Sequence, residues 1–502
     1  MKVLIGTDLL LSLILKGEYF EGMEILYKWI DSLRYARAID AATVSILTRL
    51  VDANCLAKYK GYTLIKELSR KSQQMCDLES ELTKSVNGGV SYTNKIKNNF
   101  AQLNVIENRN ADFLITENQF TMFLARKLGL DDRVYDIESF IEKCAVENRE
   151  KDPKKGEIVQ IAKFHTLDLE DPFFNTFKHD YGNDYIRWYN EKYEDDVYVS
   201  KAHNGLIKAL LKLKVESCDE DYSDVQPVFN PKKRLKISTF KVSYSGSRLG
   251  ERFMRIIFEE ALKEEVQEIY VTLFNNSPDR RKLVKLLTNW GFDKHGTKSP
   301  SGEHVYVRDL EKITGQEICK DYPFHSRRHQ AYLIPLHKIY ATDLFPDSDL
   351  DKEKTDYAPY KNAIRKVVVL DTQQKEIQSR DILLFYQKTS ETEERKIVAS
   401  GIVEEVYDNI EGEYDFILKC RKRSNLSDSQ LRQCWNKCKP NTTIINFLFA
   451  SNMDKEKINQ KKLEELGIDT NALQSQHCYP LSKEQFSKII KDTRYEKDLI
   501  ID

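Results

Sequence analysis

The chain has 502 residues, 31% charged and 41% hydrophobic, which implies about three globular domains and excludes a disordered or fibrous chain. Lys and Arg number 78 against 79 Asp and Glu, a net charge of −1. That balance excludes a uniformly basic nucleic-acid binder and an acidic-tail protein, while leaving local patches open.

Aromatic residues make up 11%, with only 19 Gly and 12 Pro, so the chain reads as densely packed and poor in loops. The nine Cys are irregularly spaced, with no Cys-x-x-Cys, a pattern of reduced thiols in a cytoplasmic protein. No stretch reaches 18 apolar residues, so no membrane-spanning helix is expected and no membrane partner is implied.

The first segment, MKVLIGTDLLLSLILK, has the apolar run of a signal peptide, but Asp8 interrupts it. A buried strand over Lys2–Ile5 leading into a helix from Leu9 fits better. Helical patterns follow over 21–33, 41–50, 56–84 and 92–107. Then come a strand at Asp112–Thr116 (DFLIT), a helix at Gln119–Leu128, a strand at Val134–Ile137 and a helix over 138–147. Strands separated by helices predict a parallel α/β sheet in a first domain, residues 1–147. The charged run Asn148–Gly156, with its Pro and Gly, marks the boundary.

A second domain is expected over 155–315. Its strands fall at Ile158–Phe164, Asp196–Val199, Gly205–Lys214, Arg234–Val242, Glu268–Leu273 and His304–Leu310. Asp171-Pro172 reads as a helix cap followed by Pro at the first helical position. Amphipathic helices are predicted over Gly250–Lys263 and Arg280–Trp290. Segment 320–350 reads as a connector whose basic cluster, His325 to His329, faces nucleic acid. A third domain, 325–502, shows strands at Ala363–Leu370, Asp381–Gln387, Lys396–Val406, Asp415–Lys422 and Thr443–Ala450, then helices over 454–490. Strands in quick succession predict a small, mostly antiparallel barrel. The fold class is thus an α/β multidomain chain: a parallel Rossmann-like sheet, a mixed sheet and a small β-barrel with C-terminal helices.

Asp8 follows the first strand, where α/β domains bind ligands, and NFAQLNVIENRNADFLITEN leads a helix into a strand ending Ile-Thr-Glu-Asn. This layout resembles the PIN-domain family of metal-dependent ribonucleases. The resemblance implies clustered carboxylates holding Mg²⁺ or Mn²⁺, which activates water against a phosphodiester. Asp8 matches the first carboxylate. Ser45, Asn99 and Asn118 stand where the others are expected, and Glu117 lies next to Asn118. A docking or RNA-contacting module is therefore preferred over a nuclease.

The strand LKISTFKV (235–242) runs into Tyr244-Ser245-Gly246-Ser247-Arg248-Leu249-Gly250-Glu251-Arg252 and then a helix. A Gly/Ser-rich turn at a helix N-terminus aims backbone N–H groups and the helix dipole at an anion. With the next strand EIYVTL, Asn275, a helix and Gly291-Phe292, the pattern resembles the GNAT superfamily of acyl-CoA N-acyltransferases. The upstream stretch DPFFNTFKHDYGNDYIRWYNEKY resembles first helices of that family. The resemblance implies acetyl-CoA as cofactor. Val242 and Tyr244 would line its pantetheine, Gly246, Ser247, Arg248, Leu249, Gly250, Glu251 and Arg252 would cradle its pyrophosphate, and Asn275 would face its far side. Leu287 stands where many members carry a thiolate-protonating Tyr. Tyr244, Glu251 and Tyr270 are the candidate catalytic residues.

In the last segment, Arg380-Asp381-Ile382-Leu383-Leu384-Phe385-Tyr386 and Ser400-Gly401-Ile402-Val403 resemble the ASCH/EVE group of PUA-like barrels, with Arg380 where Gly is usual. The resemblance implies RNA or modified-base contact. Arg327, Arg328, Arg421, Arg423 and Trp435 are the candidate RNA-binding residues, since basic side chains beside an aromatic suit phosphate contact and base stacking. Cys434 and Cys438 read as an inert thiol pair. Fusions of this kind are associated with bacterial toxin–antitoxin loci, so the resemblance implies a helix-turn-helix antitoxin as partner. The expected activity is N-acetylation of an amine on RNA, such as an aminoacyl-tRNA, or on protein. The alternatives are a metal-dependent ribonuclease and a non-enzymatic RNA- or partner-binding scaffold.

Overall fold

The computed structural model describes the chain apart from residues 16–22, 51–60, 67–69, 86–89, 148–158, 202–204, 244–248, 316, 338–343, 346–362, 389–394, 422, 425, 427, 440, 454–455, 457, 472, 474–477, 492 and 502. It divides into two compact units, one built on residues 1–153 and one on 154–243 and 247–502. Among the described residues no helix is long and apolar enough to cross a membrane.

The first unit is a five-stranded sheet in the order β3-β2-β1-β4-β5. The strands are β1 (Lys2–Ile5), β2 (Ala36–Asp40), β3 (Thr63–Ile65), β4 (Phe113–Ile115) and β5 (Val134–Tyr135), and all their pairings are parallel. Helices α1 (Thr7–Leu15), α2 (Met23–Ser32), α3 (Ala41–Leu50), α4 (Gln73–Ser85), α5 (Val90–Glu107), α6 (Gln119–Lys127) and α7 (Ile137–Glu147) connect them. Two apolar clusters, one with Val3, Trp29 and Phe140 and one with Leu4, Phe100 and Leu124, cover the two faces. Alternate residues of β1 serve them, as a strand buried on both sides requires. Gly6 turns the chain out of β1: a Cβ there would lie 2.7 Å from the Ile115 carbonyl. Strands β2 and β3 are additions to the sequence reading, which assigned no element to 34–40 and a helical pattern to 56–84.

The second unit holds two sheets. The first has eight strands in the order β6-β7-β8-β10-β11-β13-β12-β9. They are β6 (Val159–Lys163), β7 (Asp196–Lys201), β8 (Ile207–Glu216), β9 (Val225–Gln226), β10 (Arg234–Val242), β11 (Glu268–Leu273), β12 (Asp293–Lys298) and β13 (Glu303–Asp309). Within it β10 and β11 run parallel, while the other neighbours are antiparallel. Asp171 caps a short 3₁₀ turn, Pro172–Phe174, by accepting from Phe173 N at 2.8 Å. Helices α8 (Asn175–Tyr181) and α9 (Asn183–Glu191) follow, bent apart at Gly182 with φ 54. Helix α10 (Leu249–Lys263) succeeds β10, and α11 (Pro278–Asn289) succeeds β11.

After a one-turn helix α12 (Ile318–Asp321), the second sheet has six strands in the order β15-β18-β17-β16-β14-β19. These are β14 (Ala331–His337), β15 (Arg365–Leu370), β16 (Ile382–Lys388), β17 (Lys396–Tyr407), β18 (Thr443–Asn452) and β19 (Tyr479–Leu481). The neighbours are antiparallel except β14 and β16, so the expected antiparallel barrel is a mixed sheet. Strand β14 lies in what the sequence suggested was a connector. The predicted strand at Asp415–Lys422 is instead helix α13 (Glu413–Arg421), followed by α14 (Asp428–Cys438). Phe416 and Cys420, four apart, bury one face of α13, and Lys419 pairs with Asp415 on another. Helices α15 (Gln460–Glu465), α16 (Lys483–Ile490) and α17 (Arg494–Leu499) close the opposite face.

Gly401 on β17 leaves room for a neighbouring ring: a Cβ there would sit 2.5 Å from Phe447 Cδ2. Arg380 adopts φ 78, the left-handed backbone for which Gly is the ordinary choice. Its side chain reaches Asp321 Oδ2 at 3.0 Å. Helix α10 packs between the two sheets. Its Leu249, Phe253 and Ile257 share a core with Ile237 of β10 and with Ile364 and Leu448 of the second sheet. Arg255 stacks on Phe449 at 4.0 Å.

Candidate functional site

Strands β10 and β11 define the site by parting from each other. Their parallel pairing runs Arg234↔Glu268, Leu235↔Ile269, Lys236↔Tyr270 and Ile237↔Val271, and stops. Both strands continue, β10 to Val242 against β8 and β11 to Leu273 against β13. The divergence has a local cause. Ile237 pairs with Leu213 and Thr239 with Lys212, so Ser238 is an extra residue, a bulge that bends β10 away from its partner. Beyond the bulge the β11-facing edge of β10 presents backbone groups that no β11 strand takes.

Helix α10 starts seven residues past the end of β10 and brings its first-turn N–H groups to the same end of the sheet. The predicted cofactor residues fall into three groups. Tyr244, Gly246, Ser247 and Arg248 lie outside the described residues. Val242 is half-buried against the α10 core and pairs with Ala209. Leu249 is buried, while Gly250 and Arg252 are half-exposed in the first turn and Asn275 is exposed just past β11. A Cβ on Gly250 would meet Leu286 Cδ2 of α11 at 3.2 Å, so the two helices approach closely there.

The candidate catalytic residues stand differently from expectation. Glu251 accepts from Ile364 N at 3.0 Å and lies 3.6 Å from Arg365, which reaches Glu404 at 3.6 Å. It fastens α10 to the second sheet. Tyr270 lies in the paired stretch, buried, with its hydroxyl on Glu216 Oε2 at 2.7 Å. Burial and then the Glu216 carboxylate push that phenol well above its ordinary range. Leu287 is fully buried core.

Sequence reasoning missed a second cluster. Thr272 is the first β11 residue beyond the last β10 pair. Val271 and Leu273 face the α10 core, so Thr272 faces the opposite side of the sheet. There Glu303, at the start of β13, accepts from the Tyr181 hydroxyl at 2.7 Å, from Thr272 Oγ1 at 3.4 Å and from Ser301 Oγ at 3.0 Å. Burial and then the Glu303 charge push the Tyr181 phenol well up. Tyr181 ends α8, which Lys241 of β10 holds by donating to the Phe173 carbonyl and to Thr176 Oγ1 at 2.8 Å. Tyr181 and Glu303 are 122 residues apart. The only local signal was a Glu after the turn Ser-Pro-Ser-Gly.

In the first unit, the polar residues at the C-terminal ends of the strands are spent on each other. Asp8 Oδ1 accepts from Thr116 Oγ1 at 2.8 Å, and Oδ2 from Glu117 N at 2.7 Å. Burial raises the Asp8 carboxyl above its ordinary value, and those hydrogen bonds oppose the rise. Asn118 caps α6, its Oδ1 accepting from Phe120 N and Thr121 N. Glu117 accepts from Ile137 N at 3.1 Å at the start of α7. Asp40, fully buried, accepts from Thr43 N at 2.9 Å and Thr43 Oγ1 at 2.6 Å. Asn99 is buried on α5. Among the described residues no group of three or more His, Cys, Asp or Glu is placed to hold a metal ion. These residues do not fit a divalent cation: of the expected set only Asp8 carries a charge, while Ser45, Asn99 and Asn118 bring none.

The expected RNA-binding residues are scattered. Arg423 pairs with Glu404, and Arg327 with Glu496 at 2.8 Å. Arg328 is exposed, and the Arg421 side chain lies outside the described residues. Trp435 packs half-buried against Phe416 at 5.5 Å. His325 is a correction: it faces the interior, not nucleic acid. It is buried against Tyr495, with Nε2 on the Tyr495 hydroxyl and Nδ1 3.3 Å from the Pro323 carbonyl. Cys434 and Cys438 lie 3.8 Å apart on α14.

No protein-family model matches the chain, and no curated protein matches it. Among solved structures, part of the chain is similar to a GNAT-family acetyltransferase from Listeria monocytogenes, at 15% identity over 30% of this chain and 95% of that one, with a TM-score of 0.19. It is also similar to a chain of the NatC complex bound to Gag peptide and CoA, at 15% identity over 30% and 96%, TM-score 0.20. A third is human THYN1 in complex with 5-methylcytosine-containing DNA, at 13% over 32% and 95%, TM-score 0.18.

Proposed function

We propose that the second unit is an acyl-CoA-dependent N-acyltransferase whose acceptor is an amine presented by RNA or protein. The observation that carries this reading is the splay: parallel β10 and β11 separate at a bulge, and a long helix starts at the open end. Acyl-CoA, when bound, supplies an activated thioester. The chain's own groups fit its parts. The β10 edge past Ile237 offers backbone N–H and C=O groups to an amide-bearing arm. The first-turn N–H groups of α10, its dipole and Arg252 suit a pyrophosphate. The GNAT resemblance implies the pantetheine beside Val242 and the pyrophosphate at a turn that includes Leu249 to Arg252.

Isothermal titration with acetyl-CoA tests the reading. The wild-type chain is expected to bind, and Arg252→Glu to bind about tenfold more weakly, because a carboxylate then stands in the first turn. Wild-type protein that shows no affinity for acetyl-CoA overturns the proposal.

A further inference from the structure

Glu303 is buried at 7% exposure and accepts hydrogen bonds from three hydroxyls. Among the described residues it makes no ion pair; Arg280, the cation whose field reaches it, is committed to Asp180 and Asn276. A carboxylate withdrawn from water with no cation in direct contact is costly, and neutral hydroxyls and the more distant Arg280 charge offset only part of that cost. Such a group suits a cation that arrives from outside. Its place in the fold says where. Thr272 lies immediately past the last β10–β11 pair, and Tyr181 closes a helix that Lys241 anchors to β10. Glu303 therefore stands at the open end of the splay, on the face away from α10.

We propose that Glu303, with Tyr181 holding its carboxylate in place, seats the ammonium group of the acceptor, which makes the acceptor a primary amine entering in its charged form. This rests on the acyltransferase reading. In the transfer Glu303 takes one ammonium proton and later returns it to solvent. The freed nitrogen pair forms the bond to the acyl carbon, the carbon–sulfur bond breaks with its electrons on sulfur, and a second nitrogen proton ends on that sulfur.

The probes are n-butylamine and, as an uncharged control, n-butanol. Saturation-transfer NMR on the full chain without acyl-CoA is expected to show n-butylamine bound in preference to n-butanol. Glu303→Gln keeps an acceptor oxygen for Tyr181 and Thr272 and presents an NH2 group to Ser301 Oγ, which can accept from it; it is expected to weaken n-butylamine about tenfold, with acetyl-CoA affinity unchanged within about twofold. Amine-dependent thiol release from acetyl-CoA should fall in parallel, and Glu303→Asp should restore part of both. Unaltered n-butylamine binding in Glu303→Gln overturns the proposal. So does a wild type that binds acetyl-CoA but releases no thiol with n-butylamine. A wild type that binds n-butylamine but not acetyl-CoA overturns the acyltransferase reading instead.

Discussion

Lowering the pH should destabilise the second unit through one side chain, His325. Its ring is buried and tilted against Tyr495 with centroids 5.2 Å apart, and its backbone N–H donates to the Leu499 carbonyl at 3.0 Å. The two ring contacts are satisfied by the neutral form: Nδ1–H donates to Pro323, and Nε2 accepts from the Tyr495 hydroxyl. Protonation would place a charge in this site, where no carboxylate lies against the ring among the described residues. Burial therefore lowers the imidazole from its ordinary 6.5 to about 4, with the Pro323 carbonyl opposing and the neighbouring His329 adding to the fall. Because the folded value is depressed, the folded state binds fewer protons than the unfolded chain between these values. The contribution is complete above pH 6.5 and is lost as pH falls through about 4. At about 1.4 kcal/mol per unit, the loss reaches about 2 kcal/mol at pH 5 and about 3 kcal/mol at pH 4. Urea unfolding followed by tryptophan fluorescence from pH 8 to pH 4 reads it. His325→Gln should start less stable and then lose less on acidification, the two curves converging by about 3 kcal/mol. Parallel curves for the two proteins would refute the reasoning.

Two further outcomes follow from single residues. Arg380→Ala loses the contact with Asp321 and keeps a left-handed backbone, whereas Arg380→Gly loses the same contact but relieves the backbone. The Gly variant should therefore be about 1 kcal/mol more stable than the Ala variant by urea midpoint; equal midpoints would show that φ 78 is unstrained. In the first unit, Mg²⁺ or Mn²⁺ should leave the melting temperature unchanged, since Asp8 is the only charged member of the expected ligand set and Asn118 already caps α6. A rise that Asp8→Asn abolishes would restore the metal site.

Local chemistry made much of the chain legible. The run Lys2–Ile5 broken by Gly6 and Asp8, the Asp171-Pro172 cap, the DFLIT strand and the β10–α10–β11 succession each follow from spacing and capping within a few residues. Where two readings fit the same residues, packing decided. DFILKCR became a helix because Phe416 and Cys420 share a buried face with Ile444 and Leu431. Strand β14 was invisible because its partners, β16 and β19, lie far along the chain.

The sequence by itself determined the β10–α10–β11 succession, the near-neutral charge and the Gly/Ser-rich turn ahead of α10. Tertiary structure decided which charges remain available. Asp8, Glu251 and Tyr270 were drawn into contacts with Glu117, Ile364 and Glu216, and Arg423 into a pair with Glu404. The net charge of −1 counts groups and not their partners. Glu303 emerged instead, because only the folded sheet brings residues 122 apart together at the end of one splay and withdraws their carboxylate from water.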